Sequence, residues 1–324
     1  MGKKIKEKES EETIMIDDME DDVMAENSER ILAAIDIGSN AVRLLIKKVR
    51  KEPDGQISST KLLFVRYPLR LGFDVFGSGV VSAKKAKKLE RLMKAYRQLM
   101  KVFDVDKYRA CATSAIRDAK NGHTLIDDIQ EETNIKIEII NGEQEAHLIY
   151  NNHFEQQEEK NENYLYVDVG GGSTEINLLS GGELVCSHSY NIGTVRMLQN
   201  QVDDTSLDNL ACDMSNLRQK IEAYDPIHII GSGGNINKLY RLCGKKNQNR
   251  SISVCDLQNI YENLGHLSVY ERMETFKLKN DRADVIEPAA KIFLIIAKSI
   301  GAIDIRVPVI GLCDGLIDTM AGEE

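Results

Sequence analysis

The chain has 324 residues, of which 42% are hydrophobic and 29% charged, and it carries a net charge of −9. That length holds two cores of ordinary size, while the longest unbroken apolar run, Ile292–Ala297, is far too short to span a bilayer. The six cysteines form no Cys-x-x-Cys pair and the six histidines no His-Glu-x-x-His, which disfavours a zinc site, a disulfide framework and histidine-based catalysis.

The first residues are the most acidic. Met1–Arg30 carries eleven acidic and five basic residues. Residues 1–29 hold too little apolar surface to fold alone and read as a disordered tail, whose Ile14, Met15, Ile16 and Met19 offer a contact to a partner. Two strand-like runs follow, "ILAAIDIG" and "AVRLLIKKVR", forming a hairpin that turns at Gly38-Ser39-Asn40. After a further strand around Leu62–Arg66, the segment Ser82–Phe103 repeats Leu89, Leu92, Met93, Tyr96, Leu99, Met100 and Phe103 at helical spacing, with Ser82 as its N-cap. A strand over 108–116, a helix over 121–133 and a strand over 135–140 then predict βαβ units and a largely parallel sheet. Beyond Gly142 a helix resumes over 143–157.

At Tyr164 the opening plan returns. "YLYVDVG" and "GGSTEINLL" repeat the order of strand, aspartate two before a glycine, small polar loop and strand. A strand over 183–190, a helix over 206–224, a strand over 227–230 and the loop "GSGGN" opening another helix come next. A long apolar helix over 284–300, a strand over 305–311 and a short helix over 312–320 complete the pattern. The chain reads as two α/β domains of one architecture facing each other across a cleft.

Three glycine loops stand out. Glycines let successive backbone N–H groups converge on an oxyanion, and the third loop also opens a helix N-terminus. They nominate Asp36, Gly38, Ser39 and Asn40, then Gly170, Gly171, Gly172 and Ser173, then Gly231, Ser232, Gly233 and Gly234 as phosphate-binding residues. Asp168 and Glu175 flank the second turn. Two carboxylates beside a phosphate repel it unless a hard cation, Mg²⁺ or another divalent ion, bridges them. The plainer alternative has Asp168 capping the turn and Glu175 facing solvent.

Six segments occur in order: "AAIDIGSNAVRLLI", "ATSAIRDAKNG", "IEIINGEQEAHLIY", "YVDVGGGSTEI", "NIGTVRM" and "DRADVIEPAAKI". On these the chain resembles the exopolyphosphatase / guanosine pentaphosphate phosphohydrolase (Ppx/GppA) phosphatase family, in a short form without the C-terminal HD-type domain of longer relatives. The resemblance implies two actin-like (ASKHA, ribonuclease H-like) domains flanking a cleft: one over 30–143, to which a helix over 312–324 returns, and one over 144–311. It implies release of terminal phosphate from inorganic polyphosphate, or conversion of guanosine pentaphosphate to tetraphosphate. By the same resemblance Glu145 is the general base, with Glu143 as its substitute, and Asp168 and Glu175 bind the metal. Read alone, Glu145 is equally a first-turn glutamate favoured by the helix dipole. Arg117 is a candidate bidentate phosphate donor and Arg43 a second one, while Arg196 and Arg282 are either structural or substrate-facing. Two segments, "GSGGNI" and "GLCDGLIDTM", depart from the family pattern and favour short polyphosphate or a nucleotide.

Polyphosphate or a guanosine penta- or tetraphosphate is the expected partner, in a cytoplasmic protein with no nucleic-acid or membrane partner, and a homodimer is one arrangement considered. The alternatives are a non-catalytic sensor of those nucleotides and an actin-fold kinase or ATPase.

Overall fold

The computed structural model describes residues 29–323 apart from 53–55, 155–161, 182, 222–225 and 245–249. The expected acidic tail lies outside these residues save for Glu29, as does the end of the helix expected over 143–157.

Two sheets of matching order organise the chain. β1 (Arg30–Ile37) and β2 (Val42–Lys51) pair antiparallel, and β3 (Ile57–Tyr67) adds to β2. On the other side of β1 run β4 (Lys107–Ala112) and the two-residue β5 (Glu138–Ile139), both parallel, giving the order β3-β2-β1-β4-β5. The second half builds β6 (Asn163–Val169), β7 (Thr174–Ser180), β8 (Glu183–Tyr190), β9 (Ile227–Ser232), β10 (Ser251–Ser253) and β11 (Asp304–Arg306). Its sheet runs β8-β7-β6-β9-β11-β10 with the same strand directions, so only the edge strand β10 is extra. The repeat legible at Asp36 and Asp168 is therefore a repeat of the whole actin-like sheet.

Alternation along the strands sets which core each residue enters. In β1, Ala33, Ile35 and Ile37 sink into an outer core with α1 (Leu71–Ser78), α2 (Ala83–Val102), α3 (Ser114–Asp118) and α4 (Gly122–Thr133). The helical spacing expected for α2 buries Leu89, Met93, Tyr96 and Met100, and Ser82 caps it by accepting from Lys85 N. In the second half, Leu165, Val167 and Val169 meet α7 (Asp204–Arg218), α8 (Gly233–Cys243), α9 (Val254–Gly265) and α12 (Ile286–Ile300) in another outer core.

The inner faces of the two sheets are separated by two helices. α5 (Gly142–Phe154) rests on β7 and β8, and α13 (Leu312–Gly322) lies along α5 and on β1, β2 and β4. Leu316, Ile317 and Met320 of α13 share one cluster with Leu32, Ala34 and Leu45 of the first sheet and Leu148 of α5.

Four expected elements end early, and several form that were not expected, among them α1, α3 and β10. The strand expected over 108–116 stops at Ala112, because Ala112 pairs with Ile37, the last residue of β1, and nothing remains to pair with. The chain turns there into α3. Of 135–140 only Glu138 and Ile139 are laddered, against Cys111 and Ala112. The strand expected over 305–311 ends at Arg306, shortly before Pro308, which has no N–H to donate. The helix expected over 206–224 runs over Asp204–Arg218, capped by Asp203. α1 was not expected from its glycine-rich sequence; burial of Leu71, Val75 and Phe76 overrides local propensity there. No helix among the described residues is long and apolar enough to cross a membrane.

Candidate active site

The two hairpin turns are built alike. Gly38 N donates to Ala41 O at 3.1 Å, and Gly170 N donates to Ser173 O at 2.9 Å. The carbonyls of Ser39 and Asn40 accept from Gly72 N and Arg70 N at the start of α1. Those of Gly170 and Gly171 accept from Thr194, Val195 and Arg196 N at the start of α6 (Thr194–Leu198). In a trans peptide the N–H points opposite the C=O, so each turn commits its carbonyls to a helix behind it and offers the N–H edge to the cleft. The turns also touch. A Cβ on Gly171 would stand 2.9 Å from Ser39 Cβ, and one on Gly172 would stand 2.4 Å from Ser114 Oγ and 2.5 Å from Phe76 Cζ. Glycine is required at both positions for the lobes to meet.

Carboxylates gather at this junction. Asp36 lies opposite Arg43 across β1–β2 and is ion-paired to it. Asp168 lies opposite Glu175 across β6–β7, and neither is ion-paired among the described residues. Glu145, in the first turn of α5, is buried; its Oε2 accepts no hydrogen bond, and its nearest cation, Arg117, is 3.8 Å away. Burial pushes the Glu145 carboxyl well above the usual range, with Glu175 adding to the effect and Arg117 opposing it. Burial, then Asp168, pushes Glu175 up to about 7, against hydrogen bonds from Ser173 and Ser189. Burial raises Asp168 as well, against the attraction of Arg43.

The same cleft is also lined by cations. A cavity of about 500 Å³ runs between the lobes, lined by both turns and by Arg43, Arg66, Arg282, Lys61, Lys238 and Lys277. Arg282 donates to Asn235 at 2.9 Å. Its pKa falls to about 9 through burial and through repulsion from Arg66 and Arg43. Arg66 pairs at 2.6 Å with Asp281 of α11 (Asn280–Ala283), which follows α10 (Val269–Phe276), yet its Nε and Nη2 stay buried without a hydrogen bond. Asn40 donates to Asp281 O and Arg70 pairs with Asp284. The segment 281–284 therefore clasps the first lobe. Arg66, Arg70 and this clasp went unforeseen; the "DRAD" segment was their one trace in the sequence.

Of the nominated residues, Asp36, Gly38, Ser39, Asn40, Glu145, Asp168, Gly170, Gly171, Ser173, Glu175, Gly233 and Gly234 line the cavity. Gly172 sits instead in the contact between lobes, and Gly231 in β9 packs against Ile236 and Ile305. Ser232 is buried opposite Asp168. Gly233 and Gly234 serve as clearance: a Cβ there would stand 2.5 Å from Asp168 Oδ1 and 2.3 Å from Arg282 Nη2, and Gly233 also has φ of 84°. Arg117 donates to Ile140 O and approaches the cleft only through Glu145. Arg196 is structural, donating to Gly172 O, pairing with Asp118 and lying over Phe76. Glu143 is exposed outside the cavity.

Among the described residues no three His, Cys, Asp or Glu side chains converge into a ready-made metal cage. The unpaired Asp168–Glu175 couple and the orphaned Glu145 oxygen form an all-oxygen set. Such a set suits a hard divalent ion that completes its shell with substrate and water.

The duplicated lobes thus bring paired glycine turns, grouped carboxylates and arginines to one cavity. The chain belongs to the Ppx/GppA phosphatase family, whose profile matches residues 56–324. It shares its fold with the Ppx/GppA family member of Aquifex aeolicus, at TM-score 0.71 and 24% identity, over 92% of this chain and 100% of that one. An exopolyphosphatase from Cytophaga hutchinsonii aligns with TM-score 0.76 and 23% identity, over 90% of this chain and 97% of its own. A bifunctional 3-dehydroquinate synthase/phosphatase of Fusobacterium nucleatum is 32% identical over 170 residues, which is 52% of this chain. The chain spans only 26% of that protein.

Proposed function

We propose that this protein removes the terminal phosphate from inorganic polyphosphate, short chains included, or from the 5′ end of guanosine pentaphosphate. The observation that carries the reading is Glu145, whose buried Oε2 lines the cleft without a hydrogen bond beside the Asp168–Glu175 couple. A base must sit within hydrogen-bond reach of the water it deprotonates, and its pKa works best near the operating pH. The raised pKa of Glu145 moves it in that direction.

Glu145 takes a proton from the water, and the water oxygen attacks the terminal phosphorus. The bond from that phosphorus to the bridging oxygen breaks, releasing inorganic phosphate and a product one phosphate shorter. Asp168 and Glu175 would hold Mg²⁺ or a similar ion, which supplies charge neutralisation when bound. The N–H edges of the two turns receive the terminal phosphate, and Arg43, Arg66 and Arg282 receive the phosphates behind it.

The test is phosphate release from short-chain polyphosphate, long-chain polyphosphate and guanosine pentaphosphate, with Mg²⁺ or EDTA. Glu145→Ala is expected to lower kcat by about 10²–10⁴-fold. No release from any substrate, together with tight binding of guanosine tetraphosphate, overturns the hydrolase in favour of a sensor.

A further inference from the structure

Glu175 and Glu145 reach the cleft from different elements, a strand and a helix, and Ser189 touches both elements. Ser189 of β8 is the cross-strand partner of Glu175, so both side chains leave the sheet on the same face. Its hydroxyl donates to Glu175 Oε1 at 3.0 Å. On its other side Ser189 meets Gly142, the first residue of α5. A Cβ on Gly142 would stand 2.2 Å from Ser189 Oγ and 2.4 Å from Ser189 Cβ.

No positive φ is involved at Gly142; the requirement is room. The start of α5 is fixed by a reciprocal cap, in which Asn141 Oδ1 accepts from Gln144 N and Gln144 Oε1 accepts from Asn141 N. Asn177 of β7 ties the next residues by donating to Ala146 O at 3.0 Å. Glu145 lies three residues beyond Gly142, on this anchored turn.

From this arrangement we infer that Ser189, seated against Gly142, is a positioning residue for the cation-binding carboxylate. It holds Oε1 of Glu175 so that Oε2 turns to the cleft, and its fit against Gly142 sets the distance from Glu175 to Glu145. The inference rests on the reading of Asp168 and Glu175 as the cation couple. Partners that orient a metal-ligating group typically change metal affinity by about 10–100-fold.

The probe is Mn²⁺, titrated into the full chain and followed by the loss of its free-ion EPR signal, with steady-state phosphate release beside it. Ser189→Ala and Gly142→Ala are each expected to weaken Mn²⁺ binding about 10-fold and to lower kcat while KM for polyphosphate holds. Alanine is the better helix former, so a loss in Gly142→Ala reports the contact rather than the helix. In Ser189→Gly both crowding atoms are gone, so adding Gly142→Ala to that variant is expected to cost nothing further. Wild-type Mn²⁺ affinity in both Ser189→Ala and Gly142→Ala overturns the inference and leaves the hydrolase reading standing. A wild-type chain that neither binds Mn²⁺ nor releases phosphate sinks both.

Discussion

Arg43 and Glu175 occupy equivalent places in the two halves of the molecule, each directly opposite the aspartate that stands next to last in the first strand of its hairpin. One half neutralises its aspartate with a guanidinium, and the other confronts its aspartate with a second carboxylate. The duplicated frame thus carries opposite electrostatics at a matched position, and the cleft runs between them. Removing Arg43 strands the buried Asp36. Arg43→Met is expected to cost about 3–5 kcal/mol, as when one member of a buried pair is lost. The double variant with Asp36→Asn is expected to recover part of that, and urea unfolding of the three variants checks it.

The carboxylate couple also gives stability a pH signature. Glu175 titrates near 7 in the folded chain, above its ordinary 4.5, so between those values the folded state holds a proton that the unfolded state has released. Stability of the metal-free protein is therefore expected to be fullest below about pH 4.5 with respect to this group and to decline as pH rises towards 7. Mg²⁺ should reverse the decline at pH 8, and Glu175→Gln should lessen the decline, leaving the part due to Glu145 and Asp168, and weaken the Mg²⁺ effect. Thermal melts at pH 5, 6.5 and 8, with and without Mg²⁺, read this directly.

The clasp at Asp281 is unequal in its two halves. Losing Asp281 leaves Arg66 and Arg282 facing each other across a buried wall, whereas losing Arg66 relieves Arg282 of its largest cationic neighbour. Asp281→Asn is expected to destabilise by about 3 kcal/mol or more, and Arg66→Met by less. Equal losses in a denaturant series would speak against this ordering.

Gly193 does not line the cavity, yet a Cβ there would stand 2.5 Å from the carbonyl oxygen of Gly171 and 2.6 Å from the carbonyl carbon of Gly172. Backbone cannot swing aside as a side chain can. Gly193→Ala is expected to shift the triple-glycine turn and lower kcat on the order of 10–100-fold, since misplacement by about 1 Å costs that much. Gly265→Ala, where nothing lies within 4 Å, serves as the neutral control.

Much of this site could be read from local spelling. A strand ending in Asp-x-Gly, repeated with a second strand behind it, encodes its own turn, and both hairpins formed as expected. Glu145 came from the resemblance of its segment to the family pattern, because its place in the first turn after Gly142 also suits a glutamate favoured only by the helix dipole. What the spelling concealed were pairings across the fold: Arg66 and Asp281 are 215 residues apart, and neither predicts the other. Strand ends were equally hidden, since Ala112 ends β4 only because β1 ends beside it. Gly231 and Gly172 read as phosphate cradles by composition, whereas their role in packing depends on Ile236, Ile305, Ser114 and Phe76, which arrive from elsewhere in the chain.

The placement of α13 between the sheets bears on how the molecule is made. Cys313 of that helix reaches the carbonyl of Ala34 across 279 residues of chain. At ribosomal rates of about 5–20 residues per second, β1 waits roughly 15–55 s for the helix that covers its inner face. The outer core with α1 to α4 closes from nearby sequence, but Leu32, Ala34 and Leu45 lack the α13 half of their cluster throughout that interval, with Ile140 and Leu148 as their earlier partners. The first lobe is thus half-finished while the second is being synthesised, and its inner face closes only when α13 arrives.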